Sequence, residues 1–71
     1  MIEFNALIAG RSRVMVLLVS MIGSFEPTAG GHTALTLTDG RELTALVPYE
    51  RFRAAILTTR NQFVSLVEAP V

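Results

Sequence analysis

From Val14 to Phe25 the chain reads VMVLLVSMIGSF, and ten of these twelve residues are apolar when glycine is counted. None is charged. Alternation places Met15, Leu17, Val19, Met21 and Phe25 on one face, and Val14, Val16, Leu18 and Ile22 on the other, broken only by Ser20 and Ser24. A strand with one side in water shows one polar face. This run barely does, so it needs cover on both sides.

Only 71 residues are available to give that cover, enough for a single domain, 1–71, near the lower size limit for folding without a staple. Hydrophobic residues reach 51% before glycine is added, above the usual apolar share of about 45–50% with glycine included. A domain this small has a high surface-to-volume ratio, so part of that excess must reach its surface, where large apolar patches mark contact with partners. A homo-oligomer with a further protein partner is the expectation, because most soluble oligomers are self-associations. Its interface is placed on Met15, Leu17, Val19, Met21 and Phe25.

The run is too short to cross a membrane as a helix. Twelve residues at about 1.5 Å each fall well below the roughly 30 Å hydrocarbon core. Arg11 and Arg13 imitate the charged start of an export signal, but Glu3 precedes them and no clear small-residue cleavage pattern follows. A cytoplasmic location without membrane contact is expected, and the absence of cysteine, hence of any disulfide, fits a reducing compartment.

The remaining elements read as follows. Residues 1–9 alternate as a strand, with Ile2, Phe4, Ala6 and Ile8 on one face, and Gly10–Arg13 is a polar turn, so the first two strands form a hairpin. The long strand is 14–25, bulged at Gly23 and ended by Pro27. A hairpin of 32–38 and 41–47 turns at Asp39-Gly40. A two-residue loop there would mix polarity on each face. A three-residue loop, Thr38-Asp39-Gly40, with Gly40 as a G1 bulge, pairs Leu35 with Leu43, Thr33 with Ala45, Thr36 with Glu42 and Ala34 with Thr44. The spacing of Tyr49, Phe52, Ile56 and Leu57 predicts a helix over 49–60, with Glu50 and Arg60 matching its dipole and Asn61 as C-terminal cap. Residues 63–68 read as one more strand, a candidate for pairing between chains. The fold class is α+β, mainly β: a small antiparallel meander of four to five strands with one helix on a face.

Chemistry-bearing residues are sparse. His32, the single histidine, stands beside Gly30-Gly31 without a companion ligand or nucleophile. The six acidic residues are scattered and suggest no acid–base pair, and Asp39 reads as the cap of its own turn. Gly30-Gly31 leads into a strand, whereas a phosphate loop needs a helix. No catalytic residue, metal ligand or cofactor site is assigned. All six cations are arginine and the net charge is zero, without the basic surplus of a phosphate-binding protein. Arg11 and Arg13, two apart at a strand entry, form the one candidate anion-binding pair.

From Ile22 to Ile56 the chain resembles small FlbD-type bacterial and phage proteins: a strand ending in isoleucine, a Thr-x-x-x-Leu-x-x-Gly hairpin, then a short helix. Ile22, Thr33, Leu37, Gly40 and Tyr49–Ile56 carry the likeness. The stretch from Thr33 to Val64 is also similar to half of a LytTR-type domain, although Ser65, Leu66, Val67 and Glu68 replace the basic residues expected after Phe63. The resemblance implies a small β-rich accessory protein of bacterial or phage origin without enzymatic activity. The expected function is a non-enzymatic, oligomeric protein–protein interaction module, such as an accessory or inhibitor protein acting on host machinery. The second expectation is an oligomeric nucleotide- or nucleic-acid-binding protein using Arg11 and Arg13.

Overall fold

The computed structural model describes residues 1–59 and 62–67. Its strands are β1 (Ile2–Ile8), β2 (Arg11–Leu17), β3 (Ile22–Pro27), β4 (Thr33–Leu37), β5 (Glu42–Ala45) and β6 (Val64–Ser65). One helix, α1 (Tyr49–Thr58), lies between β5 and β6. The sheet order is β2-β1-β5-β4-β3, and β6 pairs in parallel with β1. The fold is thus α+β and mainly antiparallel β.

The apolar run from 14 to 25 is not one strand. It belongs to β2 and β3, separated by extended Leu18 and a 3-10 turn over Val19–Met21, in which Met21 N–H donates to the Leu18 carbonyl at 2.9 Å. These two strands are the opposite edges of the sheet. Laid flat, four strand spacings of about 4.8 Å would hold them about 19 Å apart. The residues linking them, Leu18–Met21, are mostly wound at about 2 Å rise per residue and cannot reach that far. The sheet therefore curls, bringing its two edges together at this corner. Gly23 is the expected bulge, where the β3–β4 register shifts between Ile22 and Ser24.

Two hairpins show how local sequence sets register. Ala9 and Gly10 both have positive φ, 51° and 78°, a two-residue type I′ loop that matches strand twist. The turn is therefore tighter than the expected Gly10–Arg13 connection, and Arg11 already pairs with Ile8. The β4–β5 hairpin turns through Thr38-Asp39-Gly40 with Gly40 at φ 90°. Its pairs are Leu35–Leu43, Thr33–Ala45, Thr36–Glu42 and Ala34–Thr44, as anticipated from polarity.

The concave face holds the core: Ile2, Phe4 and Ala6 of β1, Leu17 of β2, Leu35 and Leu37 of β4, Ala45 and Val47. Helix α1 closes it with Phe52 and Ala55. The Phe52 ring meets Phe4 at 5.5 Å and Phe25 at 5.4 Å, both edge-on, so it joins β1 to β3. Buried Thr33 is satisfied by donating from its hydroxyl to the Val47 carbonyl at 2.9 Å.

The helix ends at Thr58, earlier than expected, and Arg60 and Asn61 lie outside the described residues. Leu57 is 64% exposed. One residue beyond Ile56, it is turned about 100° further round the helix and leaves the buried stripe. β6 is two residues, not six, and pairs within the chain; Glu68 lies outside the described residues.

Candidate functional site

The five residues expected to form an interface do not form a surface. Leu17 is a core residue, while Met15, Met21 and Phe25 are half-buried and pack against the core. Val19 is half-buried in the 3-10 turn. The reason is parity. β1 places Ile2, Phe4 and Ala6 inward, and the hairpin register sets them opposite Leu17, Met15 and Arg13. Directly paired residues share a face, so the odd-numbered residues of β2 look inward and the even-numbered ones outward.

The outward set is the exposed one. Val14 is 56%, Val16 47% and Leu18 50% exposed. Across the sheet at the Leu18 end stand Met1 and Phe63, also exposed. Alternation in the sequence groups Val14, Val16 and Leu18 on one face but does not show which face is outward. The inward alternation of Ile2, Phe4 and Ala6, carried through a two-residue turn at Ala9-Gly10, was the signal that separates the faces.

β2 also has an open edge. On β1, the carbonyls of Met1, Glu3 and Asn5 accept from the amides of Val64, Leu66 and Leu46, on the side away from β2. Backbone groups of successive residues point to alternate sides of a strand. The even residues of β1 therefore serve β2, where their partners are Arg11, Arg13, Met15 and Leu17. That directs the N–H and C=O groups of Ser12, Val14 and Val16 away from the sheet. Among the described residues no strand pairs with that edge.

The opposite edge differs. β3 carries the bulge at Gly23, an exposed Glu26 and Pro27. Bulges, charges and prolines on an edge strand all discourage further pairing. β2 has no proline, glycine or bulge and its register runs unbroken from Leu17 to Arg11, with its charges, Arg11 and Arg13, confined to the hairpin end.

Arg11 and Arg13 are both exposed and share the inward-facing side of β2, beyond the core at the hairpin tip. On the outer face of β1, β5, β4 and β3 lies an open trough of about 350 Å³, lined in part by Leu7, Ala34, Thr44, Glu26 and Glu42. Half-buried His32 is held by its backbone, its N–H donating to Thr28 Oγ1 at 3.1 Å and its carbonyl accepting from Thr28 N–H at 3.0 Å. Asp39 does cap its turn. It accepts from the Arg41 amide at 3.0 Å and from Arg41 Nε at 2.7 Å. The backbone hydrogen bond, with lesser help from the guanidinium, lowers its pKa below the ordinary 3.8.

Among the described residues no three His, Cys, Asp or Glu side chains converge as metal ligands, and no helix is long and apolar enough to cross a membrane. No family model, curated protein or solved structure matches the chain.

Proposed function

We propose that this chain is a non-enzymatic protein-interaction module that docks through β2. The observation that carries the reading is the coincidence, along β2 and the residue after it, of an edge with no strand on it among the described residues and an outward row of Val14, Val16 and Leu18. An open edge offers main-chain hydrogen bonds, and the alternate side chains beside it give selectivity.

The second reading is anion or nucleic-acid binding, favoured by the exposure of Arg11 and Arg13 on one face. The two part on salt. Phosphate-driven binding falls steeply as salt rises, whereas strand pairing does not depend on counterion release. A fluorescently labelled single-stranded oligonucleotide titrated with the chain at low and high salt tests this. The docking reading expects no binding at either. Salt-sensitive binding that disappears in the double variant Arg11→Ser, Arg13→Ser would replace it with the anion reading.

A further inference from the structure

We infer that the occupant of the β2 edge is β2 of a second copy, paired antiparallel about a two-fold axis through Val14. This rests on the docking reading above and names its partner.

Hydrogen-bond parity comes first. Only Ser12, Val14 and Val16 present backbone groups to the free edge, so any pairing strand must meet those residues. With the axis at Val14, Val14 bonds its own counterpart and Ser12 bonds Val16 of the other copy, each pair exchanging two hydrogen bonds. Every outward group of the strand is then used.

Charge selects the same register. Shifting the axis to Arg13 sets that arginine opposite itself, and shifting it to Ser12 sets Arg11 opposite Arg13. Like charges directly opposite destabilise a strand pair. Shifting it the other way, to Met15, brings in Leu18, whose carbonyl is already taken by Met21 N–H. At Val14, Arg13 lies opposite Met15 of the other copy and Arg11 opposite Leu17, so no arginine stands directly across from another, although the two Arg13 side chains are diagonal neighbours about 7–8 Å apart. β2 carries basic residues at one end only and no acid. Antiparallel pairing about Val14 places none of them directly opposite a like charge.

Outward faces also match. Even residues meet even residues, so Val14 and Val16 of both copies form one apolar patch on a sheet continuous through the axis. A single strand pair buries less than the roughly 800 Å² per partner of a standard stable interface. The dimer is therefore reversible and grows with concentration.

The chain contains no cysteine, so single cysteines report register directly. In a hydrogen-bonded antiparallel pair the Cα atoms are about 5.5 Å apart, within the roughly 4.4–6.8 Å that a disulfide spans. Under mild oxidation at high concentration, Val14→Cys is expected to give a covalent dimer. Ser12→Cys and Val16→Cys should do so only when mixed. Light scattering of the unmodified chain should show mass rising from one chain toward two with concentration.

Val14→Pro removes an outward N–H without touching the β1 ladder, a position where edge strands tolerate proline. It should keep the thermal melt and abolish the mass increase. Cross-linking of Ser12→Cys or Val16→Cys alone, a Val14→Pro variant that still dimerises, or a single-chain mass at every concentration would each overturn the proposal. A single-chain mass without oligonucleotide binding removes the second copy alone, whereas salt-sensitive oligonucleotide binding removes the docking reading beneath it.

Discussion

β2 and β3 come from one apolar run, yet they end the sheet in opposite ways. β3 is interrupted by Gly23, charged at Glu26 and closed by Pro27, and Phe25 ties it through Phe52 to the core. β2 is regular along its whole length, with five of its seven residues exposed and only Leu17 fully buried. A sheet that must not grow blunts its edges. Here the bulge and the proline fall on β3 alone, whereas β2 carries two charges, Arg11 and Arg13, at its hairpin end and is otherwise regular; the proposed docking uses that regular part.

The contrast within β2 gives the largest expected effect. Leu17→Ala should cost about 2–5 kcal/mol by emptying a core position, a large share of the roughly 4–11 kcal/mol expected of a domain this size. Val16→Ala, one residue away and outward, should shift monomer stability by no more than about 0.5 kcal/mol. Denaturant midpoints of the two variants check this. Equal effects would mean the two faces have been misassigned.

Proline placement sharpens the edge assignment. Met15→Pro deletes an amide that bonds β1 and leaves a Phe4 carbonyl unpaired, at a cost of about 1–3 kcal/mol. Val14→Pro should leave the unfolding curve close to that of the parent chain. A reversal would put the open edge on the odd residues.

Two smaller changes probe what shapes each edge. A Cβ on Gly23 would stand 3.1 Å from the Thr36 carbonyl oxygen of β4. Backbone in a paired strand yields little, so Gly23→Ala should destabilise by about 1 kcal/mol. Ala9 occupies a left-handed conformation at φ 51° that disfavours a Cβ. Ala9→Asn, which builds the preferred Asn-Gly turn, should stabilise the β1–β2 hairpin by up to about 1 kcal/mol. Thermal melts read both.

Asp39 in the β4–β5 turn, which is exposed and whose side chain is bonded only to Arg41, serves as a control with the smallest effect. Asp39 has a lowered folded pKa, so its contribution is present above its ordinary 3.8 and is lost as pH falls through the lower folded value. Melting temperatures of the parent chain and Asp39→Asn should differ slightly at pH 6 and converge below that range. Convergence at higher pH would point to another group.

Much of this was legible in the sequence where the determinants are local. The β4–β5 register follows from polarity and one glycine, pair by pair, and the spacing of Tyr49, Phe52 and Ile56 locates the helix. The split of the apolar run was not legible. Leu18–Met21 has the same composition as the strand on either side, and no proline or glycine marks the break. The cause is tertiary: pairing with β1 runs out at Ile2–Leu17, and the chain must turn to reach the far edge of a curled sheet. Leu57 misled for a related reason, since an apolar residue one step off a stripe looks like its margin until the helix is seated. The apolar surplus correctly announced an exposed patch. Reading the run as one strand placed that patch on the face that fills the core.

Residue-resolved amide hydrogen exchange across β2, in dilute chain, tests the open edge most directly. Ser12, Val14 and Val16 should exchange fast, while Arg13, Met15 and Leu17, bonded to β1, should be protected. Protection of all six in the dilute chain would show an edge already covered and would contradict the account.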